Sequence, residues 1–255
     1  MDEYKIDPTI QYDVVPLPSN GIYYPNKKKS LKVAYLTALD ENILASPNLM
    51  NNNNVIDELL KAKVLDREIP IDDLVEEDRQ AILIFLRNTS FGTEYFLILT
   101  DPKTSKEFET TIDLSVLKVK DFTLKEDSNG EYSYHFQKSK IDITFKFLNR
   151  KEEQDITNTI DNWNSIGVAP VATKRLEMMI KSVKGNKDPM NLRNFISRLP
   201  ITDSQDFRKF VKENKPGLDL SLNIKAPSGE MIQSQIGFGV EFFRPFYGLQ
   251  KDTIS

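Results

Sequence analysis

Residues 69–92 read IPIDDLVEEDRQAILIFLRNTSFG, and this stretch decides how the rest of the chain is read. Pro70 has no backbone donor, and Asp72 and Asp73 stand where a helix N-cap belongs. Leu74, Val75, Ala81, Ile82, Phe85 and Leu86 fall near a 3.6-residue period, the mark of a helix with one buried face. That reading puts Phe85 on the buried side. Glu76, Glu77 and Asp78 load the first turns with negative charge, which the helix dipole favours there. Arg87 closes the other end, where the helix dipole favours a cation, and Gly92 supplies a stop. Tyr95-Phe96-Leu97-Ile98-Leu99 follows at once, a run of strand formers. A packed helix therefore hands over to a sheet.

The acids of this stretch admit a second reading. Grouped carboxylates bind hard cations through oxygen. A calcium loop, however, alternates its ligands and bends at a glycine, and Asp72–Asp78 does neither. Helix capping plus a solvated face accounts for each of these positions.

Composition narrows the function classes. The chain has 255 residues, 39% of them apolar, enough for a core. Its formal charge is −4, from 34 basic and 38 acidic residues, too mild for nucleic-acid steering by charge alone. There is no cysteine, which excludes disulfides, thiol nucleophiles and thiolate zinc sites, and fits a reducing compartment. No apolar run nears the roughly 20 residues that span a bilayer, and no signal peptide is visible. The single histidine, His135, alternates with aromatics in Tyr132–Phe136 and reads as a strand residue. With no glycine-rich phosphate loop either, an ordinary hydrolase, zinc enzyme or NTPase is hard to build. The expectation is a non-enzymatic chain with no metal and no cofactor.

Upstream, Pro8, Pro16, Pro18 and Pro25 make residues 1–30 an extended arm. Ser19-Asn20-Gly21 is turn chemistry, and Ile22-Tyr23-Tyr24 looks like a short strand. Residues 1–20 read as dispensable for folding but not for assembly. Leu31–Leu36 alternates like a strand. Thr37 caps a helix over Leu39, Ile43 and Leu44, Asn51–Asn54 is a polar loop, and Val55, Ile56, Leu59 and Leu60 mark another helix.

Downstream, residues 93–149 are β-rich. Tyr95–Leu99 and Glu107–Ile112 flank Asp101-Pro102. Ser128-Asn129-Gly130 joins expected strands at Asp121–Lys125 and Glu131–Gln137, and Ile141–Phe147 alternates. Helical stripes return with Ile156, Ile160 and Trp163, then Leu176, Met179, Ile180 and Val183. Asp188 and Pro189 open a helix with Leu192, Phe195, Ile196 and Leu199, and Thr202 or Asp203 caps one with Phe207, Phe210 and Val211. Leu218–Ile224 and Met231–Val240 form a last hairpin around Ala226-Pro227. Helices followed by an X-Pro hairpin thus occur twice.

Phe238, Val240 and Phe242 would share one face of the last strand, with Phe243 on the other. Pro245 ends the ladder, so Phe246 and Tyr247 leave the sheet. Exposed aromatics beside Arg244 either fold back over the chain or anchor a neighbour. The candidate partner-binding residues are therefore Phe243, Arg244, Phe246 and Tyr247, with Val15 and Leu17 of the arm. An alternative is a nucleic-acid-binding β face, with Lys138, Lys140, Lys146 and Arg150 beside Tyr134 and Phe136.

The order of motifs resembles the baseplate hub subunit family of T4-like contractile-tailed bacteriophages. Three places carry the resemblance. The first is Val15-Pro16-Leu17-Pro18-Ser19-Asn20-Gly21, then Leu36-Thr37, Glu41 and Ile43-Leu44. The second is Ile71-Asp72-Asp73-Leu74, Leu86-Arg87, Phe91-Gly92 and a hairpin ending Thr111-Ile112-Asp113-Leu114. The third is Phe195-Ile196, Leu199-Pro200, Phe207, Phe210-Val211, the hairpin 218–240 and Phe242-Phe243. Residues 151–187 match poorly. Some relatives place cysteines in the first hairpin; this chain has none, so no metal is carried over, and no site residue is transferred. The resemblance implies a structural or assembly protein of the tail baseplate that touches other phage tail proteins, with self-association possible and no membrane. It implies a place in the virion, after assembly in the host cytoplasm. The fold class expected is α+β, helical segments alternating with antiparallel hairpins. Its divisions are the arm 1–30, a helix and hairpin module 31–150, and a helical module 151–255 ending in a hairpin and aromatic tail.

Overall fold

The stretch at 69–92 folds as a 3-10 turn, Ile71–Asp73, followed by a helix, Glu76–Phe91. The structure, a computed structural model, describes residues 8–24, 26–45, 55–164 and 171–243, with the backbone alone for 160–164. Among the described residues the order is β1 (Tyr12–Pro16), β2 (Ser30–Ala34), α1 (Ala38–Ala45), α2 (Val55–Lys63), α3 (Glu76–Phe91), β3 (Glu94–Thr100) and β4 (Glu107–Asp113). It continues with β5 (Tyr132–Phe136), β6 (Ile141–Phe145), α4 (Arg150–Asn164), α5 (Val171–Met179), β7 (Ile180–Val183), α6 (Pro189–Ser197), α7 (Ile201–Asn214), β8 (Ser221–Lys225) and β9 (Met231–Gln235). Small antiparallel sheets between helices make the fold α+β.

The chain forms two compact units. One joins residues 1–120 to 217–255, and the other is 121–216. The sequence divisions at 30 and 150 do not coincide with these boundaries. The first unit is closed where the chain leaves and returns: the amide of Lys120 donates to the Gly217 carbonyl and that of Asp219 to the Lys118 carbonyl, both at 2.8 Å.

In the first unit, β1 and β2 pair from Tyr12↔Ala34 to Pro16↔Ser30. Of the segment before residue 30 only Tyr12–Pro16 is extended, residues 18–24 being turns, and it is not a loose arm. Val15, Leu17 and Tyr24 join the same apolar cluster as Leu31, Val33, Leu60 and Leu74. Removing residues 1–20 therefore removes core, contrary to the expectation from its prolines. Residues 22–24 form turns rather than a strand. Gly21 is obligatory there, with φ +75° and a Cβ that would stand 2.6 Å from the backbone of Lys27 and Lys28.

Asp78 holds this segment to α3. It is fully buried, and its carboxylate accepts from the Ser19 amide at 2.9 Å, the Ser19 hydroxyl at 2.6 Å and the Tyr24 hydroxyl at 2.6 Å. The sequence placed Asp78 on a solvated face, and the fold places it in the interior. Nor do Asp72 and Asp73 cap α3, which starts at Glu76 after Val75 with no side-chain cap. The buried face of α3 runs through Ile82, Leu83 and Leu86, with Phe85 half-buried at its edge, stacked on Tyr35 at 5.9 Å.

Arg87 closes the helix differently from a dipole-facing surface cation. It is fully buried, donates to the carbonyls of Gly92 at 2.6 Å and Glu94 at 2.7 Å, and lies over the rings of Tyr95 and Phe242. One side chain thus ties α3, the Gly92 stop and β3 to the chain's later aromatics. At the start of α1 the Thr37 amide and hydroxyl both donate to Asp40 Oδ2, at 2.7 and 2.8 Å, and buried Lys63 pairs with the same carboxylate. Leu39, expected inside, is 73% exposed.

The two X-Pro hairpins meet at their turns. Asp101 accepts from its own turn at Lys103 and Thr104, and from the amide and hydroxyl of Ser228 at 2.9 and 2.8 Å. The last strand stops at Gln235, short of Val240. A 3-10 turn at Val240–Phe243 then buries Phe242 and Phe243 together, where an extended strand would have split them between two faces.

The second unit is a three-stranded sheet, β5-β6-β7, with α4 to α7. Asp121–Lys125 is not a strand. Ser128-Asn129-Gly130 instead forms a turn organised by Asp127, whose side chain accepts from the amides of Asn129 and Glu131. Ile180–Val183 leaves the expected helix and pairs with β6, because Ile143 and Phe145 offer it a buried partner. The core is aromatic. Phe207 is fully buried 5.0 Å from Tyr134, 5.2 Å from Phe145 and 5.7 Å from Phe136. Asp188 caps α6 through the Asn191 amide at 2.9 Å, matching the sequence. Asp203 does not cap α7; it accepts from the amides of Lys138 and Ser139 at 3.0 and 2.9 Å, holding the β5–β6 turn. The stripe residues Ile160 and Trp163 and the Asn51–Asn54 loop lie outside the described side chains.

Candidate interaction surfaces

The candidate partner-binding residues separate into two groups. Val15, Leu17 and Phe243 are 5%, 3% and 2% exposed inside the chain's own core, so none of them presents a side chain to a neighbour. The reason is local. Val15 alternates with exposed Val14 on β1, Leu17 is drawn in by its amide's bond to the Lys29 carbonyl at 2.8 Å, and the 3-10 turn folds Phe243 beneath Phe242 at 5.4 Å. Arg244, Phe246 and Tyr247 lie outside the described residues.

The apolar surface that the first unit does offer is on β3–β4. Register pairs Phe96 with Thr111 and Ile98 with Glu109. Alternation turns Tyr95, Leu97, Phe108 and Ile112 towards one half-buried face and leaves the other open. On the open face Phe96 and Ile98 are each half exposed, flanked by exposed Glu94, Glu107, Glu109 and Asp113. An aromatic and an aliphatic side chain within a carboxylate rim form an acidic interaction patch. The sequence carried a signal for it. Glu107-Phe108-Glu109 and Ile112-Asp113 alternate, and pairing them across the Asp101-Pro102 turn fixes which residues of the uniformly apolar Tyr95–Leu99 must face out.

The basic aromatic face does not assemble. Phe136 is fully buried, and Tyr134 packs 4.8 Å from Phe210, so both rings point into the core of the second unit. Lys146 pairs with Glu152. The opposite face of the sheet is polar, with Ser133, His135, Asp142 and Ser182 around a shallow depression. There His135 Nδ1 lies 2.7 Å from Asp142 Oδ1, across the strand pair and open to solvent.

The electrostatics of the buried charges serve the fold. Burial pushes the Asp78 carboxyl up, against the pull of its Ser19 and Tyr24 donors. Burial beside Asp78 also pushes the Tyr24 hydroxyl far above its ordinary value, so it stays a donor. Asp101 is pushed up by desolvation, but its Ser228, Lys103 and Thr104 donors outweigh that and hold it below the usual carboxylate range. Among the described residues no group of three or more acids or histidines is placed to hold a metal ion, and no helix is long and apolar enough to cross a membrane.

Both units bury apolar cores with polar links inside them, and the first exposes an acid-rimmed apolar patch on β3–β4. The chain belongs to the family described as T4 bacteriophage base plate protein, which matches residues 17–243. It is a structural protein of a phage baseplate, and its place is the tail of the virion. No curated protein and no solved structure matches the chain.

Proposed function

We propose that this chain acts at the baseplate hub of a contractile tail, as a hub subunit or hub assembly protein, through protein–protein contacts and without catalysis. Its partners are other baseplate and tail proteins, met during assembly in the host cytoplasm. The observation that carries this reading is the family match over residues 17–243. The hub position rests on the order of motifs from Val15-Pro16-Leu17-Pro18 to Phe242-Phe243. The acidic patch around Phe96 and Ile98 supports docking, as aromatic anchors within a charged rim are the usual hot-spot arrangement. Arg244, Phe246 and Tyr247 remain proposed anchors as well.

Mass spectrometry of purified tails and tail intermediates tests the reading. Presence in hub-containing particles at fixed stoichiometry supports a subunit, and presence in intermediates alone supports an assembly protein. Absence from both overturns it. Changing Phe246 and Tyr247 together to Ser should leave the chain folded and soluble and block its incorporation; normal incorporation removes them as anchors.

A further inference from the structure

The second unit carries a hollow of about 240 Å³. Its floor is apolar, made by buried Phe147, Leu148 and Met179 with Val211 beside them. Its rim is basic, with Arg175, Arg208, Lys212 and Lys215. The one acid in the lining, Glu153, is held by Arg175 in two parallel bonds of 2.8 and 2.7 Å. With Arg175 and Glu153 paired, Arg208 and Lys212 still leave the rim positive, in a chain whose net charge is −4.

The spacing of these cations is informative. Arg208 and Lys212 stand four residues apart on α7, and Lys215 follows three later, just beyond the helix. Like charges at that spacing repel and destabilise a helix. Neighbouring Lys209 is offset by Glu213 at 3.9 Å. Arg208 and Lys212 have no such offset: both are exposed, and among the described residues neither has a carboxylate partner, Arg208 donating only to the Ser204 carbonyl of its own helix. The repulsion is concentrated over the apolar floor.

We propose that this hollow docks an acidic segment of a partner polypeptide, one that places a single large apolar side chain on the floor and flanking carboxylates against the rim. The volume suits one side chain and lies below the roughly 300–1,000 Å³ of small-ligand pockets. A nucleic acid fits less well. Base stacking requires an exposed ring, and Phe147 is buried against Tyr132, Phe145 and Phe122. Carboxylates on arginine and lysine, with an apolar anchor between them, match both halves of the site.

The inference rests on the baseplate reading only for where the partner comes from, and it is tested on the isolated full-length chain. The probe is a fluorescein-labelled peptide, Gly-Asp-Glu-Phe-Glu-Asp-Gly, followed by anisotropy. It should bind, and binding should weaken as salt shortens the screening length from about 10 Å at 0.1 M to about 3 Å at 1 M. Arg208→Ala with Lys212→Ala removes two exposed side chains, leaves the circular dichroism spectrum unchanged, and should weaken binding about tenfold. The same peptide with Ser for Phe should bind about tenfold less well. No binding, binding unaffected by the double variant, or equal binding by the Ser peptide or by an oligothymidylate of the same charge overturns the proposal. Failure here leaves baseplate membership standing, and absence from tails leaves the peptide result standing.

Discussion

The two units build a buried interior by different means. The first packs aliphatic side chains, with Leu31, Leu59, Leu60, Leu74, Ile82 and Leu86 all fully buried, and links its segments through charged groups held inside. Asp78, Arg87, Asp40 with Lys63, and Asp101 each join pieces of chain that are distant in sequence or differ in secondary structure. The second unit packs rings on rings around Phe207, and Asp203 is the buried acid that fixes its β5–β6 turn. The contrast follows from topology. The first unit draws on two stretches separated in sequence by the second, which Asp101 joins through Ser228 and Arg87 through Phe242. Within its longer stretch Asp78 and Asp40 hold segments tens of residues apart. Apolar contact alone does not fix the register of such separated pieces. A directional hydrogen bond does. The second unit is one continuous stretch, where chain connectivity already limits the alternatives and shape-specific ring packing completes the choice.

If this contrast holds, truncation of residues 1–20 should do most harm. It removes Val15 and Leu17 from the core and leaves Asp78 buried without Ser19, so the chain should lose its cooperative unfolding transition and become insoluble. A truncated chain that melts as the intact one does would restore the loose-arm reading.

Phe207→Ala should cost about 3–5 kcal/mol, because it opens a cavity among three rings, Tyr134, Phe136 and Phe145. Hydrogen exchange sharpens the comparison. Protection should fall in β5, β6 and α7, while α3 amides keep theirs. Equal loss in α3 would mean that the two units open together.

Asp78→Asn should cost about 1–3 kcal/mol in urea unfolding, since the amide keeps the shape but cannot accept at both oxygen positions from Ser19 and Tyr24. A change too small to measure would show that the buried acid is not a fastening. Phe85→Ala should cost less, about 1–2 kcal/mol, as its ring is half-buried and loses mainly its stack on Tyr35. A loss of about 4 kcal/mol would place Phe85 in the core after all.

The smallest effect is the slope with pH, and its sign separates the linking acids. Asp78 is raised in the folded state by burial, so its contribution is full below the ordinary carboxylate pKa of about 3.9 and is lost as pH rises through the raised value. Asp40 is lowered: desolvation opposes ionisation, but Lys63 and Thr37 outweigh it. Its contribution is present above the ordinary pKa and is lost as pH falls through the depressed value. Urea midpoints between about pH 3 and pH 8 for wild type, Asp78→Asn and Asp40→Asn should therefore give differences that change in opposite directions. Parallel profiles would refute the assignment.

The sequence by itself determined the periodic elements. The α3 pattern, the X-Pro hairpins, the Asp188-Pro189 helix start and the α+β class were legible because each is set by residues within a few positions of one another. The order of motifs was enough to indicate a baseplate family. What it could not determine was partner choice at long range. A charged residue on a helix looks solvated until the fold supplies Ser19 and Tyr24, 59 and 54 residues away, to receive it. Ile180–Val183 has a helical spacing and becomes a strand because β6 offers an unpaired edge. Phe242 and Phe243 are adjacent, and only a 3-10 turn above the Arg87 guanidinium lets both go inside. Local periodicity fixes what an element is; burial of a polar group, or of both faces of an aromatic pair, depends on which distant segment arrives to complete it, and that is decided by the tertiary structure.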